Sequence, residues 1–126
     1  MVLLGFIQEY NKVDGVKTLT EVLNKKNYST EVLGKIILYL QQGVVISSWM
    51  GVFTDVFNNK EIDYVYYSTD GVYIWPSYLS YYITNYEMHL PEDFLEFLEK
   101  KNYSIQNIEY IRNNVSFYEN ELISKM

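Results

Sequence analysis

The chain has 126 residues, 48% of them hydrophobic and 21% charged, with a formal net charge of −6 and no cysteine. This length and composition are typical of one globular domain, so we expect a single domain over residues 1–126. The missing cysteine excludes disulfides, thiolate zinc sites and thiol catalysis. No apolar run is long enough to span a membrane, and the apolar N-terminus lacks the basic residues of a signal peptide. We therefore expect a cytoplasmic protein.

The negative charge is concentrated in the middle of the chain. Residues 54–99 contain nine acids and one base, Lys60, whereas the rest of the chain is net positive. An acidic surface repels phosphate backbones, which argues against nucleic-acid binding. It also speeds the encounter with a basic protein. The simpler interpretation is that these acids only keep a small protein soluble.

The first third of the chain is predicted to be helical. Apolar residues at helical spacing predict a short helix over residues 2–11. Thr18 and Glu21 match a capping box, which predicts a second helix up to about residue 26. Ser29 or Thr30 caps a longer helix with a wide apolar stripe, and Gly43 is placed to end it in a left-handed conformation.

The middle of the chain predicts a β-sheet. Residues 44–50 are apolar and β-branched, which favours a strand. Residues 62–69 and 72–75 predict a hairpin with a two-residue turn at Asp70 and Gly71, so that Thr69 opposes Val72. Pro76 then begins a helix, and three further helices follow from Leu90 onward. The predicted fold is α+β: a three- to four-stranded antiparallel sheet with a central Asp-Gly hairpin, packed against several helices on one face.

The two faces of this predicted hairpin differ in character, because side chains alternate along a strand. The more aliphatic face is assigned to the core, as are two residues of the following helix: Val65, Tyr67, Val72, Ile74, Leu79 and Ile83. The other face is aromatic and is predicted to be available to a partner: Tyr64, Tyr66, Tyr73 and Trp75. Tyrosine and tryptophan give a large contact area at low entropic cost. The alternative is that the tyrosines only stabilise the fold.

The sequence contains little that indicates catalysis. The single histidine, His89, has no cysteine partner and no nucleophile motif near it, so we interpret it as a loop or helix-entry residue. Asp70 is explained by its turn, and Glu61 and Asp63 lie at the start of a strand. No phosphate loop, dinucleotide fingerprint or metal-ligand pair occurs. We therefore expect a protein that is not an enzyme and that binds no cofactor and no metal.

The pattern over residues 37–94 resembles that of a known family. It reads Ile-Leu-Tyr-Leu-x-x-Gly (37–43), Trp-Met-Gly (49–51), Thr-Asp-Gly-Val-Tyr-Ile-Trp-Pro-x-x-Leu-x-x-Tyr (69–82) and Leu-Pro-x-x-Phe (90–94). These motifs resemble a family of small bacterial proteins with the signature Thr-Asp-Gly…Trp-Pro…Leu-Pro. Many members carry a Cys-Arg-Phe-Cys-like segment after the glycine that corresponds to Gly51. This chain has Val-Phe-Thr-Asp there, so any cysteine-dependent role is lost.

The resemblance implies a function by analogy, since such small proteins are similar to immunity proteins that protect bacteria from contact-delivered toxins. The leading hypothesis is an immunity or antitoxin-type protein that binds a basic toxin domain, for example in contact-dependent growth inhibition. The alternative is a non-catalytic adaptor that binds a protein, small ligand or glycan through its aromatic surface. The predicted partner-binding residues are Asp55, Glu61, Asp63, Tyr64, Tyr66, Asp70, Tyr73 and Trp75.

Overall fold

A computed structural model describes residues 1–23 and 28–126 of the chain. The strands are β1 (Val2–Leu3), β2 (Val44–Thr54), β3 (Glu61–Thr69) and β4 (Tyr73–Pro76). The helices are α1 (Leu19–Val22), α2 (Thr30–Gln41), α3 (Leu79–Tyr86), α4 (Glu92–Lys100), α5 (Ile108–Arg112) and α6 (Val115–Lys125). The predicted α+β class is confirmed.

The described strands form one sheet in the order β1-β4-β3-β2. The β2–β3 and β3–β4 pairs are antiparallel, but β1 runs parallel to β4, so the sheet is mixed and not purely antiparallel. The helix predicted over residues 2–11 is therefore wrong, because these residues form β1 followed by loop and turn. The amide of Val2 donates to the carbonyl of Val72 at 3.0 Å, and that of Leu4 donates to Ile74 at 2.7 Å. Pairing with β4 satisfies the backbone groups that a helix would have used internally.

The turn between β3 and β4 is longer than predicted. Thr69 pairs with Ile74 and not with Val72, so the loop spans residues 70–72 and Tyr73 begins β4. The Asp70 side chain determines this geometry: its Oδ1 accepts from the amides of Val72 at 2.8 Å and Tyr73 at 2.7 Å. The register differs from the predicted one by two residues, which leaves each side chain on the face that alternation gave it.

Both faces of the sheet are covered at β4. On one face, Tyr39 of α2 contacts Trp75 with ring centroids 6.3 Å apart, and Phe94 of α4 contacts Tyr73 at 4.8 Å. On the other face, Phe6 stacks on Tyr67 at 5.6 Å. The loop after β1 thus covers the face opposite to α2 and α4, and the predicted exposure of Tyr73 and Trp75 is wrong.

The aliphatic core assignment is largely confirmed. Four of its members are buried: Tyr67, Ile74, Leu79 and Ile83. Val65 is half-buried. The assignment of Val72 to the core is wrong, because the longer turn places this residue at the surface with 43% of its area exposed.

The predicted long helix matches α2, and the Ser29 hydroxyl oxygen accepts from the Val32 amide at 3.2 Å as an N-cap. The prediction for Gly43 is wrong, because its φ is not in the left-handed region. A glycine is required at position 43 for a steric reason instead. A Cβ on Gly43 would lie 2.4 Å from Cζ2 of Trp75, so the glycine lets the end of α2 approach that buried indole.

Replacing Gly43 by alanine is expected to destabilise the protein by about 1–3 kcal/mol, because the Trp75 ring must shift within a packed core. Gly34→Ala is the matched control. Gly34 lies within α2, and a Cβ there would meet nothing within 4 Å. That change should stabilise the protein by about 0.5–1 kcal/mol through helix propensity. Urea unfolding measures both, and equal effects of the two changes would contradict the packing argument.

The predicted capping box of α1 is present: the Glu21 carboxylate accepts from the Thr18 amide at 3.0 Å. The rest of that predicted helix, over residues 24–26, lies outside the described residues. Within the described part of the chain, no helix combines the length and apolar character needed to cross a membrane.

Candidate protein-binding face

The hairpin of β2 and β3 extends beyond the part of the sheet that β4 reaches. β4 pairs only with Tyr67, Ser68 and Thr69 of β3. Farther out, Ser77 closes the edge of β3: its hydroxyl donates to the carbonyl of Tyr64 at 2.6 Å and accepts from the amide of Tyr66 at 3.3 Å. The outer part of β3 is therefore held in place without a neighbouring strand on that side.

Two surface depressions lie along the hairpin. One is a cleft of about 190 Å³ next to α2 and α3, lined among others by Val45, Tyr66 and Trp75. The other lies over the start of β3. The hydroxyl of Tyr66 joins the two by donating to Oδ2 of Asp63 at 3.1 Å. We call this surface the open face and define it by Val45, Val52, Glu61, Ile62, Asp63, Tyr64 and Tyr66.

Four of the predicted partner-binding residues come together on the open face: Glu61, Asp63, Tyr64 and Tyr66. Tyr64 has 73% of its area exposed, which is unusual for so large an aromatic side chain. Oδ1 of Asp63 accepts from the Tyr64 amide at 2.7 Å, so that carboxylate is already oriented. Burial and the neighbouring Asp63 charge raise the pKa of Tyr66, so its hydroxyl remains a hydrogen-bond donor.

Asp55 does not belong to this surface, and its prediction as a steering acid is wrong because its side chain is completely buried. It accepts hydrogen bonds from the hydroxyls of Tyr81 at 2.6 Å and Tyr86 at 2.7 Å. The amides of Phe57 and Asn58 donate to its other oxygen at 2.7 and 3.3 Å. Burial alone would raise the pKa of Asp55, but these four hydrogen bonds outweigh it and lower that pKa.

Further tyrosines surround Asp55 and fix the loop between β2 and β3. The Tyr82 hydroxyl accepts from the amide of Val56 at 3.1 Å, and the Tyr10 hydroxyl bonds to both Tyr82 and the carbonyl of Thr54. The hydrogen bond that Tyr86 donates to Asp55 raises the pKa of Tyr86 to about 12. These phenols therefore stay protonated at neutral pH, and the loop that begins the open face is anchored from beneath.

Three other predicted site residues lie in the interior, with 4% of Asp70, 9% of Tyr73 and 4% of Trp75 exposed. Asp70 accepts from the Tyr39 hydroxyl and from its own turn, so its charge is used inside the fold. Tyr73 and Trp75 are covered by α2 and α4. The helices thus bury the half of the predicted aromatic face that β4 carries and leave the half that β3 carries open.

Sequence reasoning missed the apolar residues that β2 contributes to this region. Val45, Trp49, Met50 and Val52 have 47, 51, 100 and 39% of their area exposed. Their position in β2, at the edge of the sheet, makes this exposure possible. The signal in the sequence was the glycine after Trp49 and Met50, since a glycine inside a strand pattern often marks a bulge.

The surroundings of His89 bear on whether an enzyme site exists. A pocket of about 240 Å³ contains His89 together with Phe6, Val16, Val22 and Met88. The described residues of its lining include no carboxylate that could pair with the imidazole. Likewise, no group of three or more histidine and acidic side chains among the described residues could hold a metal ion.

The fold and its open face define an α+β protein with an exposed aromatic and acidic surface at one end of its sheet. Comparisons with protein-family models, with curated proteins and with solved structures found no match for this chain. The resemblance to a bacterial family and to toxin immunity proteins therefore stays a prediction.

Proposed function

We propose that the protein is an immunity or antitoxin-type protein that binds a bacterial toxin domain and neutralises it. The observation that carries the proposal is Tyr64, which is 73% exposed and shares a depression with Val52, Glu61 and Asp63. A rigid aromatic side chain flanked by carboxylates suits a protein partner, because aromatic anchors supply contact area and charges supply specificity.

The acidic surface still favours a basic partner, although two of the acids in the middle of the chain are buried. Of the nine acids over residues 54–99, only Asp55 and Asp70 are buried. Glu61 and Asp63 are left on the open face for steering. A toxin domain that attacks nucleic acid is itself basic, so an acidic inhibitor gains association rate and competes with the phosphate backbone for the same site.

The direct test is co-expression with the product of the adjacent gene. If that product is toxic, this chain should restore growth and co-purify with it as a stable complex. An adjacent product that is neither toxic nor bound by this chain would defeat the proposal.

Reversing the charge of the open face is expected to slow association with that partner. Glu61→Lys with Asp63→Lys should lower the association rate constant by about 10- to 100-fold at low salt, and salt should then affect the rate less. The matched control is Glu96→Lys with Glu99→Lys, an equal charge change at exposed positions of α4. Stopped-flow kinetics compares the pairs. An equal loss in both would mean that net charge, and not the open face, steers the partner.

The alternative, an adaptor that binds a small ligand or glycan, is favoured by one observation. The cleft beside Trp75 presents the hydroxyl side chains of Ser68, Ser77 and Ser80. Trp75 has only 4% of its area exposed, however, so its ring offers no platform for stacking a sugar. Binding of a neutral glycan there would be unchanged by the Glu61 and Asp63 reversals, which separates the two functions.

A further inference from the structure

The outer edge of the sheet is interrupted by a large bulge in β2. Ser48 pairs with Tyr66 and Val52 pairs with Tyr64, so residues 49–51 lie opposite Val65 alone. Gly51 enables this excursion with a φ of +110°, a conformation that other residues rarely adopt. The bulge projects Trp49, which is 51% exposed, and Met50, which is 100% exposed.

The indole of Trp49 is held in one orientation. Its Nε1 donates to the hydroxyl oxygen of Ser47 at 2.9 Å, and Ser47 is itself buried. Part of the entropy cost of fixing this side chain is therefore met before any partner arrives. Val52, directly after the bulge, lines the same depression as Glu61 and Asp63. The bulge and the open face are thus consecutive along β2.

The residue types in the bulge indicate a role in binding and not in protecting the edge strand. Bulges also protect edge strands from pairing with other chains, but they do so with charged residues, proline or distortion alone. A tryptophan and a fully exposed methionine would instead increase the tendency to associate, since exposed apolar side chains promote association. Tryptophan is enriched among the residues that dominate binding energy, and methionine adapts its shape to apolar pockets.

We propose that Trp49 and Met50 are the central anchors of the partner interface. They insert into an apolar pocket on a basic toxin domain, and the lysines or arginines at the rim of that pocket meet Glu61 and Asp63. This inference rests on the proposed function and adds to it the chemistry of the partner's surface. The charge of the neighbouring open face is what selects a basic domain over a second copy of this acidic chain.

The experiment measures binding of the purified adjacent-gene product to the full chain by surface plasmon resonance. Trp49→Ala and Met50→Ala should each raise Kd by about 30-fold, mainly through faster dissociation. Phe117→Ala and Ile123→Ala are matched controls, because those side chains on α6 are 58 and 52% exposed. The controls should change Kd by less than about threefold, as expected outside a hot spot.

The outcomes separate this inference from the proposed function. If the wild-type chain does not bind the adjacent product, the proposed function fails and the anchors fail with it. If the wild-type chain binds and neutralises but the Trp49 and Met50 variants match the controls, only the anchor assignment is overturned. Sedimentation of the isolated chain adds a second check: a wild-type dimer that Trp49→Ala converts to a monomer would make the bulge a self-association surface and overturn the inference.

Discussion

Asp55→Ala is expected to lower the free energy of unfolding by about 3 kcal/mol or more, although the substitution lies in a loop. The reason is the number of donors that would lose their acceptor at once. The hydroxyls of Tyr81 and Tyr86 and the amides of Phe57 and Asn58 all converge on this buried carboxylate. Removing it leaves these donors unsatisfied in and around the loop that connects β2 with β3.

Variants that remove only part of this hydrogen-bond network around Asp55 should lower the free energy of unfolding by a smaller amount. Asp55→Asn keeps an acceptor oxygen for the two backbone amides but loses the charge that both phenols need. Tyr81→Phe and Tyr86→Phe each remove one donor and should each destabilise the protein less than Asp55→Ala does. Urea unfolding with a common slope measures the series. A loss below about 1 kcal/mol for Asp55→Ala would show that water replaces the carboxylate and that the network is not a major source of stability.

The same carboxylate should make stability depend on pH in the acid range. Hydrogen bonding lowers the pKa of Asp55 in the folded protein, so its stabilisation is complete above the pKa of an unfolded aspartate, about 3.9. That stabilisation is lost as pH falls through the lower folded-state pKa. The stability difference between wild type and Asp55→Asn, measured from pH 7 downward, should therefore shrink below about pH 4. A difference that stays constant would contradict the assignment.

Local signals in the sequence predicted the elements whose stability is local. Ser29 and the apolar stripe after it identified α2, and residues 62–69 identified β3 almost to the residue. Where the structure departs from the sequence prediction, a distant contact decides. The apolar spacing near Leu3 indicated a helix, but pairing with β4, some seventy residues away, makes a strand. The Asp-Gly signal indicated a two-residue turn, but the hydroxyl of Tyr39 and the amide of Tyr73 draw the Asp70 carboxylate into a longer one.

The site was predictable only where alternation along the strand settled the matter. Tyr64 and Tyr66 were placed on the correct face because side chains alternate along β3. Whether a helix covers that face depends on tertiary packing, which is why Tyr73 and Trp75 are buried while Tyr64 is not. Charge was a weaker guide still, since composition cannot tell a surface acid from a buried hydrogen-bond acceptor.

The two buried aspartates are stabilised in the same way, and together they use three of the chain's 14 tyrosines. Asp55 directly follows β2 and Asp70 directly follows β3, so a buried carboxylate lies at the end of each of these strands. Among the described residues, neither carboxylate forms a salt bridge. Each is stabilised by backbone amides and by tyrosine hydroxyls, namely Tyr81 and Tyr86 for the first and Tyr39 for the second. Tyrosine fits this role because its ring packs in the core while its hydroxyl donates a hydrogen bond.

Asp70→Ala is the second substitution expected to have a large effect, with a loss of about 2–4 kcal/mol in the free energy of unfolding. It removes the acceptor for the amides of Val72 and Tyr73 and for the hydroxyl of Tyr39, and so detaches the β3–β4 turn from α2. Tyr39→Phe keeps the packing against Trp75 and removes only the hydroxyl, so it should cost about 1–1.5 kcal/mol.

A double-mutant cycle of these two changes isolates the link between the turn and α2. The losses should be less than additive, because the Tyr39 hydroxyl has no acceptor to lose once Asp70 is alanine. Strict additivity would mean that the two side chains stabilise the fold independently.

If the turn holds β4 in its covered position, Asp70→Ala should also expose Trp75, which lies behind α2 and contacts Tyr39. We expect a red-shifted tryptophan emission in Asp70→Ala and not in Tyr39→Phe. Both variants are made together with Trp49→Phe, which removes the emission of the indole that is already exposed.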